Sequence, residues 1–259
     1  LCVINPKSLK ENNFKEVLRK SAHKIIQKLP IENILKDDFT RPKTSEKEDF
    51  VINSFLALGE VETSIEQLRQ SSCFISNFRL TENLKKNNIS RFDHIIYHIE
   101  AHLLRTTGIL DRILILTSLS FDLKIRPEKC KPNNFLVDYK GKEGKYAPII
   151  KNRNPVLFEE LVNLNETIND YREIRNEIAH QKRYKSEDLK IIEMLDLGFR
   201  DENHKLKDKN LNYQIKRVFD LAVSMYKKEM IDLNNKISEQ ILNIYNELEK
   251  VWSEEYEKK

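Results

Sequence analysis

Between Tyr171 and Tyr184 the chain reads YREIRNEIAHQKRY and brings Arg175, Asn176 and His180 within six residues. A guanidinium is a permanent cation whose donors suit a phosphate, and an imidazole takes or gives a proton near neutral pH. Together they are the minimum equipment for phosphodiester chemistry without a metal. Running back from this stretch, Leu157, Leu161, Leu164, Ile168 and Tyr171 recur at alternating spacings of four and three. They make one apolar stripe of an amphipathic helix, and its next position is Arg175. An arginine on a core-facing stripe is costly unless it meets an anion or a satisfied polar cluster, because it does not neutralise itself by losing a proton. On an ideal helix residues five apart point roughly 140° away from each other. Arg175 and His180 therefore form one compact site only if the helix ends near Ala179 or a second subunit completes it.

The elements that must position these residues are helices. Ser8 to Leu29 predicts a first amphipathic helix, stopped by Pro30 and followed by a weakly patterned connector around Arg41 and Pro42. This piece, 1–44, is expected to be an appendage. Ser45, with Glu46 and Glu48 in the first turn, opens a long helix to about Phe78 by side-chain capping. Gly59 within it weakens the helix by up to about 1 kcal/mol relative to alanine and suggests a close helix crossing. Ser90 with Asp93 begins another helix, whose core face is Phe92, Ile95, Ile96, Ile99, Leu103, Leu110 and Leu114. Pro155 opens the helix that leads into the motif, and Ser186 caps a shorter one closed by Gly198. After a polar loop to Lys209, the remainder is helical, with Asn234 and Asn235 as a candidate break.

Beside the core face of the Ser90 helix runs a second stripe, Arg91, His94, His98, His102 and Arg105. It has three readings. One is a polar flank bordering the core. Another is a metal site, since successive histidines four apart suit shared ligation, but HIIYHIEAH is not HExxH and no carboxylate aligns with it. The last is a basic strip in which Arg91, His98, His102 and Arg105 line a nucleic-acid cleft together with Lys182, Arg183 and Tyr184.

From Lys124 to Arg153 the helical pattern lapses among prolines and glycines, and basic residues, including Lys140, Lys142 and Lys145, outnumber acidic ones by more than the +4 net charge of the whole chain. A long connection of this kind is expected to be a mobile excursion near the site, and its charge would attract an RNA backbone without reading sequence. A solvated excursion with no ligand is the other reading.

Composition sets the outer bounds. The 259 residues are 39% hydrophobic, rich in charge and interrupted by only five glycines and seven prolines, the profile of a mostly helical soluble protein. Cys2, Cys73 and Cys130 are odd in number and match no metal spacing, so a reducing cytoplasm is the expected compartment. No apolar run is long enough to span a membrane, and the first residues lack the zones of a signal peptide.

The hexapeptide RNEIAH, Arg175 to His180, resembles the signature of the HEPN superfamily: arginine, a polar residue, three more residues and histidine, near the end of one helix of a bundle. The asparagine directly after the arginine, the Ile-Ala before the histidine and the helices on either side strengthen the likeness. It is sharp over about Ile168 to Tyr184 and covers Ser45 to about Met230 only as architecture. The resemblance implies an all-α protein with a HEPN-like antiparallel helical bundle over 45–230, and the basic insertion 124–153, the additional N-terminal helix and the long C-terminal helix that extends over 231–259 lie outside the likeness. It also implies a metal-independent endoribonuclease without a cofactor, active as a homodimer whose two motifs form one cleft, in settings such as toxin and antitoxin pairs, phage defence or RNA processing. Arg175 would hold the scissile phosphate, Asn176 would orient it or His180, and His180 would deprotonate the ribose 2′-hydroxyl. In related toxins a tyrosine two residues past the histidine is modified. Here that position is Lys182, which puts control by an antitoxin through this route in doubt.

Two other readings stand beside this one. The first is a non-catalytic HEPN-like module that binds RNA, a nucleotide or a partner protein. The second is a helical scaffold in which Arg175 is buried and paired with Glu173 or Glu177, and His180 is an ordinary surface residue.

Overall fold

A computed structural model of the chain describes residues 11–28, 44–79, 81–137, 141–180, 183–199 and 209–259. Lys140 and Lys182, most of the connector around Arg41, and the polar loop before Lys209 lie outside the described residues. Among the described residues there are ten α-helices and no strand, only an isolated antiparallel bridge between Val137 and Glu143. In chain order they are α1 (Asn13–Ile26), α2 (Glu46–Phe74), α3 (Glu82–Lys86), α4 (Arg91–Ser120), α5 (Pro132–Phe135), α6 (Ala147–Arg153), α7 (Pro155–Asn169), α8 (Arg172–Ala179), α9 (Glu187–Phe199) and α10 (Lys209–Lys258). The protein is all-α.

The long helices begin where reciprocal capping satisfies their first free N–H groups. Ser45 Oγ accepts from the Glu48 N–H at 3.2 Å while Glu48 Oε2 accepts from the Ser45 N–H at 2.8 Å. Ser90 and Asp93 repeat the arrangement at 3.1 and 3.0 Å. The first helix starts later than Ser8, because Asn12 is its cap and accepts from the Lys15 N–H. Asn234 and Asn235 do not divide the last helix, which runs unbroken for 50 residues. Gly198 does not close α9, which continues to Phe199.

The chain divides into two compact units. The first comprises Ile65–Thr107 and Asn169–Lys236, and the second comprises the described part of Asn5–Ser64 with Gly108–Ile168 and Ile237–Lys259. The boundary expected at 231 falls inside α10. In the second unit α1 is no appendage: Phe14, Leu18 and Ala22 are fully buried, and the Phe14 ring lies 6.0 Å from Tyr245 and 6.4 Å from Trp252. Burying such aromatic area fixes α1 against the end of α10.

The basic segment, also in the second unit, is folded rather than a free excursion. A 3-10 turn at Pro127–Lys129 leads into α5 and α6, and Cys130, Phe135, Leu136, Ala147 and Ile150 are buried. Gly144 closes it. Its N–H donates to the Leu136 carbonyl at 2.8 Å, and a Cβ there would stand 2.4 Å from the Asn134 carbonyl carbon, so only glycine fits. At Gly59, by contrast, an added Cβ meets nothing within 4 Å, so no close crossing accounts for that glycine.

The first unit has a core of Ile75 from the α2 end, Phe92, Ile95, Ile96, Ile99 and Leu103 of α4, Leu189 and Ile192 of α9, and Phe219, Ala222, Val223 and Met230 of α10. Tyr171, Ile174, Ile178 and Tyr184 pack against it, which is how the motif is held.

Candidate functional site

The apolar stripe that begins in α7 does not carry through to Arg175. Leu157, Leu161, Leu164 and Ile168 are buried, but the helix stops at Asn169, and Asp170 and Tyr171 form a turn before α8 begins. Asn165, Asn169 and Asp170 are poor helix formers whose side chains compete for backbone groups, which gives the break a local cause. The turn resets the phase. Burial of α8 then centres on Ile174 and Ile178, and Arg175 is exposed on the flank of that face rather than buried within it. This removes the arrangement in which Arg175 is a buried, carboxylate-paired core residue.

Arg175 Nη1 donates to Asn176 Oδ1 at 3.0 Å. A guanidinium has only donors, so the amide oxygen of Asn176 must face it, and the amide nitrogen is left as a donor. Among the described residues no carboxylate forms an ion pair with Arg175. The two exposed side chains therefore present N–H groups and one uncompensated positive charge, the chemistry of an anion site. His180 is the C-cap of α8, with φ −91° and ψ 28°, and its N–H bonds to the carbonyls of Asn176 and Ile178. The helix thus ends at Ala179. Among the described residues His180 is the last whose N–H bonds back into the helix, and its ring is exposed at that end.

The segment after the motif is tied to α4. Arg183 pairs with Asp93 at 3.2 Å and with Glu193 at 3.5 Å, and the Tyr184 N–H donates to Glu100 at 2.9 Å. Arg183 is thus engaged in structure, and Tyr184 is half-buried against the core with its phenol pKa raised by burial.

The histidine stripe separates into different roles. His102 is buried, with Nε2 2.8 Å from Asn234 Oδ1, so it belongs to the core and lines no open cleft. Arg91 pairs with Asp220 at 2.6 Å and lies over the Phe219 ring. His94, His98 and Arg105 meet α2, at Phe74 and Gln67, with the His94 and His98 rings 4.4 Å apart. Shared metal ligation by all three histidines is lost once His102 turns inward, and no group of three potential ligands is arranged for a metal ion among the described residues. Burial first, and His94 second, push the pKa of His98 down to about 4. Lys142 and Lys145 are exposed, in the other compact unit from the motif.

The histidine spacing does not point to Tyr97, Phe74 or Phe78, whose rings surround His94 and His98 at 5.2 to 6.0 Å. The available signal is that Tyr97 falls off the apolar face of α4, an aromatic residue where the pattern calls for a polar one.

Among the described residues no helix is long and apolar enough to cross a membrane. The model of the family described as HEPN_Cthe2314-like HEPN matches residues 56–249. No curated protein and no solved structure matches the chain.

Proposed function

The chain belongs to the Cthe2314-like HEPN family, whose match spans most of its length, and on that premise we propose that it is a metal-independent endoribonuclease acting through Arg175, Asn176 and His180. The observation that carries this reading is the exposed Arg175–Asn176 pair, which offers N–H donors and, among the described residues, a cation with no carboxylate paired to it, in the helical turn that ends at the exposed His180.

In the proposed reaction Arg175 and the Asn176 amide hold the non-bridging oxygens of a scissile phosphate, where negative charge grows in the transition state. The His180 imidazole takes the proton from the adjacent 2′-hydroxyl. The 2′-oxygen bonds to phosphorus, the bond to the 5′-oxygen breaks, and that oxygen takes up a proton. The products are a 2′,3′-cyclic phosphate and a 5′-hydroxyl end. A two-fold dimer would bring a second motif to the same cleft, and a setting as a toxin or phage-defence effector suits such an activity.

The test is incubation of the full chain with RNA in EDTA, with analysis of the product ends. Cleavage to cyclic phosphate ends that His180→Ala abolishes is the expected result. RNA binding without cleavage would instead assign the chain to the non-catalytic modules, and cleavage that requires added metal and survives His180→Ala would overturn the mechanism.

A further inference from the structure

A cleft of about 190 Å³ opens in the first unit between α2 and α4, with Gln67, Gln70 and Phe74 on one wall and Tyr97, His98 and Arg105 on the other. Its rings are unusually open to solvent: Tyr97 is 65% exposed and Phe74 49%. Large aromatic side chains left uncovered beside a concave surface are a stacking platform for a planar ring. The His98 imidazole stands edge-on to Tyr97, at 5.2 Å and 80°, and, kept uncharged near neutral pH by burial, adds a neutral polar ring beside that platform.

The cation of the cleft is held by neutral groups. Arg105 Nε donates to Gln67 Oε1 at 2.9 Å and Nη1 to the Ala101 carbonyl at 3.2 Å. Arg69, Arg91 and Arg183 of the same unit are each matched to a carboxylate, whereas among the described residues no carboxylate pairs with Arg105. A guanidinium fixed in direction but not neutralised is prepared for an external anion. The volume is below the few hundred Å³ of a pocket for a drug-sized molecule and suits one planar ring, with the rest of the ligand outside.

Position ties the cleft to the segment that follows the motif. On the wheel of α4, Tyr97 lies roughly 40° from Asp93 and roughly 60° from Glu100, the two residues that bind Arg183 and Tyr184. The chain leaving His180 is therefore bonded to the flank of α4 next to the Tyr97 rim.

We propose that this cleft is a nucleotide subsite, in which a base stacks on Tyr97 with the His98 ring beside it and its phosphate meets Arg105, and that the occupant is a nucleotide within a single-stranded RNA rather than a free one. The choice of occupant rests on the ribonuclease reading, whereas the chemistry of the cleft does not.

The full chain is titrated with a fluorescent 2′-O-methyl oligoribonucleotide, which lacks the attacking hydroxyl and stays intact, with the corresponding abasic sugar-phosphate strand, and with AMP. The oligoribonucleotide is expected to bind more tightly than the abasic strand. Tyr97→Ala should weaken it by roughly tenfold and Tyr97→Phe should not. Because Tyr97 is mostly exposed, its replacement leaves the core intact. Arg105→Gln should lower both the affinity and the salt slope, the latter by about one. Equal affinity for the abasic strand, or no effect of Tyr97→Ala, overturns the subsite. AMP binding that depends on Tyr97 while oligonucleotide binding does not overturns the RNA occupant. A chain that binds as expected yet cuts no RNA sinks the ribonuclease reading alone, and one that cuts RNA with undiminished affinity after Tyr97→Ala sinks the subsite alone.

Discussion

The Nε2 atom of His102 lies 2.8 Å from Oδ1 of Asn234, and both side chains are buried. Asn234 Nδ2 donates in turn to the Leu68 carbonyl at 3.3 Å and to Ser72 Oγ at 3.5 Å, so the amide oxygen faces the histidine and Nε2 carries the proton. Three helices, α2, α4 and α10, meet in this network. Asn234→Ala strands a buried donor and is expected to cost about 1–3 kcal/mol. Urea denaturation of Asn234→Ala, His102→Leu and the double variant should show strong coupling, with the double variant far less affected than the sum of the singles.

Acid should destabilise the protein before its carboxylates titrate. His102 and His98 both have pKa values pushed down to about 4, chiefly by burial. A histidine whose folded pKa lies below its ordinary 6.5 binds a proton more readily when unfolded. The stability gained from keeping it neutral is therefore complete above about 6.5 and is lost as pH falls towards about 4. The urea midpoint is expected to drop between about pH 7 and about pH 5, and His98→Gln, which removes one of the titrating rings, should reduce the drop. A flat midpoint across that range would contradict the burial described for His102.

Arg175→Ala and His180→Ala act on exposed side chains, so both should leave the unfolding free energy within about 1 kcal/mol of the parent. Each is expected to abolish cleavage. They should differ in binding: His180→Ala keeps the cation and retains affinity for RNA, whereas Arg175→Ala loses a phosphate contact and lowers the salt slope of binding by about one.

Two glycines should respond in opposite directions to the same change. Gly59→Ala adds a methyl group into open space within α2 and is expected to stabilise by about 0.5–1 kcal/mol. Gly144→Ala drives a methyl group into the Asn134 backbone and should destabilise by about 1–3 kcal/mol. Thermal melts of the two variants check both signs.

The basic segment is expected to contribute charge rather than recognition. Neutralising Lys142 and Lys145, together with Lys140, should weaken RNA binding equally for unrelated sequences and flatten its salt dependence. An unchanged slope would leave these lysines to solvent.

Much of the helical framework is legible in the chain because apolar spacing and side-chain caps are local signals. The core face of α4 and the Ser45 and Ser90 caps are read directly. The motif residues are legible as types, but the direction of Arg175 is not, since one turn at Asp170 and Tyr171 shifts the helical phase and moves it from the centre of a stripe to its edge. His102 shows the same limit. Its place beside His94 and His98 in the sequence is a flank position, and only Asn234, 132 residues away, makes it a core residue. The fold of the basic segment rests on Gly144 approaching Asn134, a contact that no periodicity records.

His94 carries a double duty. Its Nε2–H donates to the carbonyl of Phe74 at 2.8 Å, and the same oxygen accepts the Asn77 N–H at 2.9 Å. Phe74 is the last residue of α2, so His94 pins the helix end while its ring stands against His98 beside the cleft. Replacing His94 removes one of the two donors on the Phe74 carbonyl and is expected to loosen the end of α2, whose last residue forms part of one wall of the cleft.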